Sequence, residues 1–308
     1  MDAPLIAIVG PTASGKSALA LRLAADRGGE IVSCDSLQIY RGLDIGSAKP
    51  TRAEQALVPH HLIDLADPQE PFSAADYARL ARQALSGIRD RGRLPVVVGG
   101  TGLYLRALLE GLFEGPSRDP ELRQRLEAMA GRWGQDALHR LLRRVDPAAA
   151  DRIAPADRVR VVRALEVFRL TREPLTAHHQ RAGGGLTGFA VRIVGLALDR
   201  GELRARVERR TEEMWQRGLL SEVQGLLAKG YAPDLRPLQA IGYRQAVAVI
   251  EGRLSEAAAR RDMVTATMRY AKRQMTWFRH QAEVRWHRSA EAALADAWRG
   301  LEAPGGPS

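Results

Sequence analysis

Short apolar runs alternate with helical patterns over the first third of the chain. Residues 5–9 and 95–98 are entirely apolar, and 30–34 contains the apolar residues Ile31, Val32 and Cys34, which is typical of strands buried on both faces of a sheet. Helical patterns cover 18–25 and the stretch from Leu103 onward. A further helix is predicted from Ser73, where Asp76 completes a capping box, to about Arg91. This repeated order predicts an α/β fold with a parallel sheet flanked by helices.

The pattern changes after Gly111. A linker rich in proline and glycine occupies 114–120, and residues 121–180 contain helical patterns without a convincing strand. Strand character returns at 191–198, and the chain then reads as helical to about Gln281. A core formed by 1–114 and 191–285, a helical insertion at 115–190 and a C-terminal tail at 286–308, disordered over 303–308, are therefore predicted.

Composition narrows the functional classes. The chain has 308 residues, is 45% hydrophobic and contains one cysteine, Cys34, which excludes a disulfide framework and a cysteine zinc site. No apolar run approaches the ~18 residues of a membrane helix, and no basic region precedes the first apolar run. We therefore expect a cytoplasmic protein with no membrane partner. The formal charge of +10 is modest support for a nucleic-acid partner.

The first predicted strand runs into a phosphate-binding motif, G-x-x-x-x-G-K-[ST]. Its residues are Gly10, Pro11, Thr12, Ala13, Ser14, Gly15, Lys16 and Ser17. A helix follows the motif, so unpaired backbone N–H groups and the helix dipole favour an anion there. Lys16 adds a positive charge, and the Ser17 hydroxyl is the usual Mg²⁺ ligand. The motif predicts that a di- or triphosphate group binds, without saying which molecule carries it.

Other polar residues follow predicted strands. In a parallel sheet, ligands bind beyond the carboxyl ends of the strands, so Asp35, Asp64 and Thr101 are expected to converge near the phosphate loop. For Asp35, a role as general base or metal-linked group is favoured over a turn cap. For Thr101, within Gly-Gly-Thr-Gly, a phosphate contact and a purely structural turn are equally compatible with the sequence.

Two further patterns leave alternatives open. Arg206 and Arg210 share a helix face, which suits either a pyrophosphate clamp or a solvated surface. The helix at 267–279 mixes basic and aromatic residues, as RNA-binding surfaces do. Its aromatic residues are more consistent with an amphipathic helix core. The adjacent pairs His60–His61 and His178–His179 are interpreted as core or loop histidines rather than metal ligands.

Together these segments resemble the bacterial type of the tRNA dimethylallyltransferases, also called tRNA isopentenyltransferases. The resemblance covers about residues 5–280 in the family's order and includes 35–50, 59–64, 98–104, 160–167, 239–243 and 267–279. It implies a P-loop NTPase-like sheet with an all-helical insertion. It also implies transfer of a dimethylallyl group from dimethylallyl diphosphate, with Mg²⁺, to N6 of the adenosine adjacent to the tRNA anticodon.

The resemblance assigns roles to individual residues. Asp35 matches the family's general base, Thr101 its active-site threonine and Arg210 its pyrophosphate-binding arginine. The insertion would grip the anticodon stem-loop, and we expect the protein to act as a monomer. The residues matching tRNA contacts are Asp35, Ser36, Leu37, Gln38, Thr101, Arg123, Val159, Arg160, Val161, Val162, Arg163, Ala240, Ile241, Gly242, Tyr243, Arg244, Gln245, Arg273, Gln274, Trp277 and Arg279.

Three alternatives remain at this point. A small-molecule kinase would share the phosphate loop and the sheet, although the chain has neither an apolar run ending in Asp-Glu nor an obvious arginine lid. A prenyltransferase acting on free AMP is less consistent with the helical insertion and the basic C-terminal helix. A non-enzymatic RNA-binding module would bind RNA without turnover.

Overall fold

A computed structural model describes residues 2–111, 115–116, 119–181 and 184–299. The chain divides into two compact units: residues 1–109 with 186–308, and residues 110–185. We call these the core unit and the helical unit.

The core unit is built on a six-stranded sheet. Its strands are β1 (Ala3–Val9), β2 (Glu30–Cys34), β3 (His60–His61), β4 (Pro95–Gly99), β5 (Phe189–Leu196) and β6 (Arg285–His287). Their order is β3-β2-β4-β1-β5-β6, and every pairing between them is parallel. The predicted α/β fold with a parallel sheet is confirmed.

Helices connect these strands and form the helical unit. They are α1 (Lys16–Arg27), α2 (Arg52–Leu57), α3 (Ala74–Asp90), α4 (Gly102–Glu110), α5 (Pro120–Trp133), α6 (Gln135–Val145), α7 (Pro147–Arg152), α8 (Arg158–Thr171), α9 (Leu175–Arg181), α10 (Arg200–Gln216), α11 (Leu219–Ala228), a 3₁₀ helix (Arg236–Gln239), α12 (Tyr243–Ile250), α13 (Glu256–Gln281) and α14 (Ala290–Arg299). The Ser73–Asp76 capping box at the start of α3 is present as predicted.

Two apolar layers cover the sheet because alternate strand residues face opposite sides. In β1, Ile6 and Ile8 lie in the layer that contains residues of α1 and α14. Ala7 and Val9 lie in the opposite layer, with residues of α3, α4, α11, α12 and α13. Each fully buried aliphatic side chain contributes about 1.5–3 kcal/mol, so both layers hold the strand ends in place.

The predicted C-terminal tail is wrong over its described part. Residues 285–287 form the edge strand β6, and α14 buries Leu294 against the sheet. The Trp286 ring packs where Gly195 has no side chain, since a Cβ there would lie 2.5 Å from the ring. Asp296 accepts a hydrogen bond of 2.9 Å from Arg192 of β5. These tertiary contacts stabilise the short strand β6, whose local pattern is weak, and the helix that follows it; residues 300–308 lie outside the described part.

The helical unit contains α5 to α9, as the absence of a strand pattern predicted. Leu126, Leu138, Leu142, Val161 and Leu165 form its buried core. Its limits differ from the predicted 115–190, because Leu186 donates a backbone hydrogen bond to Leu109 in the core unit and β5 begins at Phe189. Among the described residues, no helix is both long and apolar enough to cross a membrane.

Candidate functional site

The phosphate loop joins the carboxyl end of β1 to the amino end of α1, as the motif predicted. Gly10 has φ +148°, and a Cβ there would lie 2.7 Å from the Leu196 carbonyl oxygen. A side chain at this position would therefore collide with β5. Gly15 also has a positive φ, of 94°, immediately before α1. The two motif glycines thus allow the close turn that aims backbone N–H groups at an anion.

Charged groups surround Lys16. Its ammonium donates a hydrogen bond of 3.2 Å to the Pro11 carbonyl. Burial and the nearby charge of Arg210 lower the pKa of Lys16 to about 8, against the opposing effect of Asp35. Two cations beside one carboxylate leave an excess of positive charge that suits a phosphate group. The Ser14 hydroxyl is buried and has no hydrogen-bond partner within the described part of the chain, so it is a polar group that a phosphate oxygen would satisfy.

Asp35 and Thr101 come together at the neighbouring strand ends, as predicted. Asp35 follows β2, and its carboxylate accepts a hydrogen bond of 2.9 Å from the Leu37 N–H, so it also caps a turn. Thr101 follows β4; its hydroxyl accepts a hydrogen bond of 3.2 Å from the Ser36 N–H. The Thr101 N–H donates to the Cys34 carbonyl at 3.2 Å. The Gly99–Gly102 turn therefore supports the segment that carries Asp35.

Asp64 does not join this group, so that expectation is wrong. The ammonium of Lys49 lies 2.6 Å from carboxylate oxygens of both Asp64 and Asp44. Strand β3 has only two residues, and the chain turns at Leu62 and Asp64 with positive φ values of 62° and 54°. The Asp64 carboxylate thus stabilises the loop between Ser36 and Pro50 instead of facing the ligand.

A cavity of about 810 Å³ opens beside the phosphate loop in the core unit. It is lined by polar residues from β2, α10 and α13 and by aromatic residues of other segments. The predicted site residues on its wall are Thr12, Lys16, Ser17, Asp35, Ser36, Leu37, Gln38, Arg210, Ala240, Ile241, Arg244, Arg273 and Gln274. The size is typical of a small-molecule site.

Sequence reasoning missed several residues on the cavity wall. Tyr40, Phe72 and Tyr104 supply aromatic surface, and Arg217 and Arg236 add positive charge. Burial raises the pKa of Tyr40, opposed by the charge of Arg236, so these two side chains are neighbours. Tyr40 and Tyr104 lie inside the segments 35–50 and 98–104 of the family resemblance, which could have identified them. Arg236 lies three residues before the segment 239–243, and no local pattern marks Phe72 or Arg217.

Three glutamines predicted to bind tRNA have side-chain amides engaged within the protein. Gln38 accepts from the Ser33 hydroxyl at 2.8 Å and donates to the Ala48 carbonyl at 3.1 Å. Gln245 accepts from the Gly242 N–H and donates to Asp262, both at 2.8 Å. Gln274 is bonded at both ends as well. These amides support loops around the cavity.

Tyr243 is also internal, with a relative exposure of 0%. Its hydroxyl donates a hydrogen bond of 2.8 Å to Glu222 of α11. The same carboxylate accepts three backbone N–H groups, from Asp44, Ile45 and Gly46, at 3.0, 2.7 and 3.2 Å. The predicted tRNA-binding segment 240–245 thus anchors the loop that follows Asp35.

The outer surface of α13 carries exposed Arg273 and Arg279. On the inner side, Phe278 is buried, and the Trp277 ring packs on Gly102, where a Cβ would lie 2.2 Å from the ring. Trp277 and Phe278 therefore pack inward, as the amphipathic interpretation predicted, whereas Tyr270 is half-buried and lines the cavity. The arginines remain available to a polyanion.

In the helical unit, the predicted tRNA-binding residues fall into two groups. Val159 and Arg160 are exposed at the start of α8. The side chains of Val161 and Val162 belong to the buried core, so a tRNA contact at these two positions would have to use their backbone. Hydrophobic spacing along α8 explains the difference, since apolar residues there face α5 and α6. Arg123 and Arg163 bind the buried carboxylate of Glu166.

The residues present fit a magnesium ion bound largely through its ligand. Mg²⁺ prefers hard oxygen donors and commonly uses one or two protein oxygens together with substrate phosphates. Exposed Ser17 and half-buried Asp35 both line the cavity beside Lys16. No cluster of three histidine, cysteine or acidic side chains suited to a metal occurs among the described residues. A magnesium ion here would therefore take most of its ligands from the diphosphate and from water.

Known proteins match this chain over nearly its whole length. The profile of the IPP transferase family matches residues 38–281. The tRNA dimethylallyltransferase of Koribacter versatilis is 50% identical over 92% of each chain. The tRNA dimethylallyltransferase 1 of Pelobacter propionicus is 49% identical over 92% of this chain and 91% of that relative.

Solved structures agree with the sequence matches. The tRNA isopentenylpyrophosphate transferase of Bacillus halodurans superposes with a TM-score of 0.70 at 39% identity, covering 97% of this chain and 95% of that one. A eukaryotic dimethylallyltransferase acting on tRNA superposes with a TM-score of 0.79 at 25% identity, covering 97% of this chain and 77% of that one. With these matches added to the phosphate loop, Asp35 and Thr101, the chain belongs to the tRNA dimethylallyltransferase family of IPP transferases.

Proposed function

We propose that this enzyme transfers a dimethylallyl group from dimethylallyl diphosphate to N6 of the adenosine adjacent to a tRNA anticodon. The observation that carries the proposal is one cavity with both kinds of group that the reaction needs. A cationic phosphate loop with Lys16 follows β1, and the Asp35 carboxylate follows β2 on the same cavity wall. The charge of Asp35 acts on both Lys16 and Arg210, so donor and base are close.

In the proposed reaction, the bond between the prenyl carbon and the diphosphate oxygen breaks, and its electron pair leaves with the diphosphate. Lys16, Arg210 and free N–H groups of the loop stabilise the charge that grows on this leaving group. The Thr12 N–H is not among them, because it donates to Gln274 at 2.9 Å. Unlike in a kinase, the phosphates gripped by the loop are discarded.

The new bond forms between the adenine N6 and the prenyl carbon. The amino group is a weak nucleophile because its lone pair is delocalised over the ring, so a base that takes its proton accelerates the step by about 10²–10⁴-fold. Asp35 suits this role since its turn holds the carboxylate at the cavity wall. Thr101 supports the neighbouring Ser36 backbone.

Mg²⁺, held by Ser17 with Asp35 nearby, would stabilise negative charge on the diphosphate when it is bound. The adenine must leave its stack to enter the cavity, at a cost of a few kcal/mol. Tyr40, Phe72 and Tyr104 offer aromatic surface on the wall that could offset this cost. Exposed arginines of α13 would bind the tRNA backbone.

Mass spectrometry of tRNA tests the proposal. After incubation with the protein, Mg²⁺ and dimethylallyl diphosphate, one adenosine beside the anticodon should gain a dimethylallyl group. Parallel reactions with AMP as acceptor, and with ATP as donor, test the alternatives. Modification of AMP but not tRNA, or phosphoryl transfer without prenyl transfer, would contradict it, as would tRNA binding without any product.

A further inference from the structure

Gln274, a residue of α13, connects the phosphate loop to the turn after β4. It lies in α13 with a relative exposure of 7%. Its side-chain oxygen accepts a hydrogen bond of 2.9 Å from the Thr12 N–H in the phosphate loop. Its side-chain nitrogen donates a hydrogen bond of 2.9 Å to the Gly100 carbonyl in the turn after β4. One amide thus spans segments 88 residues apart in sequence.

The turn after β4 is shaped to receive this face of α13. A Cβ on Gly100 would lie 2.2 Å from the Gln274 side-chain nitrogen, and a Cβ on Gly102 would lie 2.2 Å from the Trp277 ring. Residues 274 and 277 are three apart and share one helix face. The two glycines therefore provide the space in which Gln274 and Trp277 pack.

Each bonded loop carries one half of the site. Thr12 lies in the loop that continues to Lys16, and Gly100 precedes Thr101, whose hydroxyl binds the Ser36 N–H beside Asp35. The phosphate loop has a second attachment, from Arg206 to the Ser14 carbonyl at 3.3 Å. Strands β1 and β4 are paired as far as Val9 and Gly99, and the Gln274 amide adds a hydrogen-bonded connection between the two segments beyond the end of that pairing.

We propose that Gln274 is a positioning residue that sets the separation of the phosphate loop from the Thr101–Asp35 segment, and that it does not contact tRNA. This inference rests on the proposed function for its substrates. Since misplacing reacting groups by about 1 Å can slow a reaction by about 10²-fold, losing this connection should slow the transfer step more than it weakens tRNA binding.

Kinetics of Gln274→Ala and Gln274→Glu test the proposal, with Gln224→Ala, an exposed glutamine of α11, as matched control. Under saturating tRNA, Gln274→Ala should lower the single-turnover rate by about 10²-fold while the KM for tRNA stays near the wild-type value. Gln274→Glu can still accept from Thr12 but cannot donate to Gly100, so it should remain slow. Gln224→Ala should match the wild type.

A double-variant cycle tests the contact itself. Gly100→Ala should slow transfer, because the new methyl group collides with the Gln274 amide. In the Gln274→Ala background this collision is removed, and the Gly10 carbonyl oxygen, 3.4 Å from the new methyl group, is at an ordinary contact distance. The methyl group should then cause little further loss. If the fold loss of the double variant equals the product of the two single-variant fold losses, the residues act independently, and the proposal is overturned.

Hydrogen–deuterium exchange gives a readout that needs no activity. Peptides covering 5–17 and 95–105 should both exchange faster in Gln274→Ala than in the wild type and the control. A raised KM for tRNA with an unchanged rate would identify a tRNA contact and overturn the proposal. If Gln274→Ala lowers thermal stability but leaves the transfer rate per folded molecule unchanged, the role of Gln274 is structural only, and the proposal is also overturned. If the wild type transfers no prenyl group, the proposed function fails, while the exchange result still tests the connection.

Discussion

Arg123 donates two hydrogen bonds to the carboxylate of Glu166 inside the helical unit, at 2.7 and 2.8 Å. The Glu166 side chain has a relative exposure of 0%. Arg163 donates a further bond at 2.6 Å, and the Asp119 N–H donates one at 2.9 Å. Two arginines that resemble tRNA contacts of the family thus also satisfy one buried charge. The hydrogen bonds of Arg123 to Glu166 hold α5 against α8, the helix that carries the exposed residues Val159 and Arg160.

Replacing Glu166 with Gln should destabilise the helical unit by about 3 kcal/mol, because breaking a buried ion pair leaves partly buried arginines without compensation. Urea unfolding monitored by circular dichroism measures the change. Glu121→Gln is the control: Glu121 pairs with Arg125 at 3.4 Å on the exposed surface, where such a pair contributes about 0–1 kcal/mol. Equal losses in the two variants would contradict the structural role of Glu166.

The same carboxylate predicts acid sensitivity. Burial alone would raise the pKa of Glu166, but hydrogen bonds from Arg123 and Arg163 outweigh it and hold the pKa at about 2. A lowered pKa in the folded state gives stability that is present above the ordinary value of 4.5 and is lost as the pH falls toward 2. Unfolding free energies should decrease between pH 5 and pH 3 more steeply in the wild type than in Glu166→Gln; parallel curves would contradict this.

Local motifs predicted much of this molecule because their geometry is set by neighbours in sequence. The phosphate loop and the Ser73 capping box are of this kind, and each lies where its pattern indicated. The prediction that Asp64 lies near the phosphate loop is wrong because β3 has only two residues and the chain then turns at two residues with positive φ. The turn places the Asp64 carboxylate beside Lys49. The connection from Gln274 to Thr12 joins positions 262 apart, and no local pattern reports such a contact.

In the C-terminal segment, one element could have been predicted from its local pattern and the other could not. Leu294 and its neighbours in α14 carry an apolar helical spacing that could have been recognised. The strand β6, by contrast, has three residues and is stabilised by pairing with β5 and by Trp286 packing on Gly195. Strand formation of this kind depends on tertiary partners more than on propensity.

Asp35→Asn should slow prenyl transfer by about 10²–10⁴-fold, since asparagine cannot accept the proton from the adenine amino group. The side-chain oxygen can still accept the Leu37 N–H that Asp35 binds at 2.9 Å, so the turn should persist. Single-turnover kinetics and a tRNA binding assay measure the two effects. Nearly normal turnover would remove Asp35 as the base, and a large loss of tRNA affinity would assign it to binding instead.

The affinity for dimethylallyl diphosphate should decrease as the pH rises through about 8, where burial and Arg210 place the pKa of Lys16. The protonated amine binds the anion. Above this pKa the site must first take up a proton, so affinity should fall by up to about tenfold per pH unit. Titrations from pH 6.5 to 9.5 measure it. The Lys16→Arg variant stays charged over this pH range, so any pH dependence of its affinity reports ionisation of the ligand alone. Identical pH profiles for Lys16→Arg and the wild type would exclude Lys16 as the titrating group.

Binding of tRNA should weaken with salt, and exposed arginines at the cavity should account for part of the slope. Each phosphate contact contributes about 0.7–0.9 to the slope of log K against log salt concentration. Arg244 is exposed, lines the cavity and lies on α12, so Arg244→Gln should lower the slope by about one contact. Arg22→Gln is the matched control, because Arg22 is an exposed arginine of α1 that pairs with Asp26 and does not line the cavity. Equal slopes for both variants and the wild type would exclude Arg244 from the RNA contact. Equal reductions in both would indicate that net charge, and not this surface, sets the affinity.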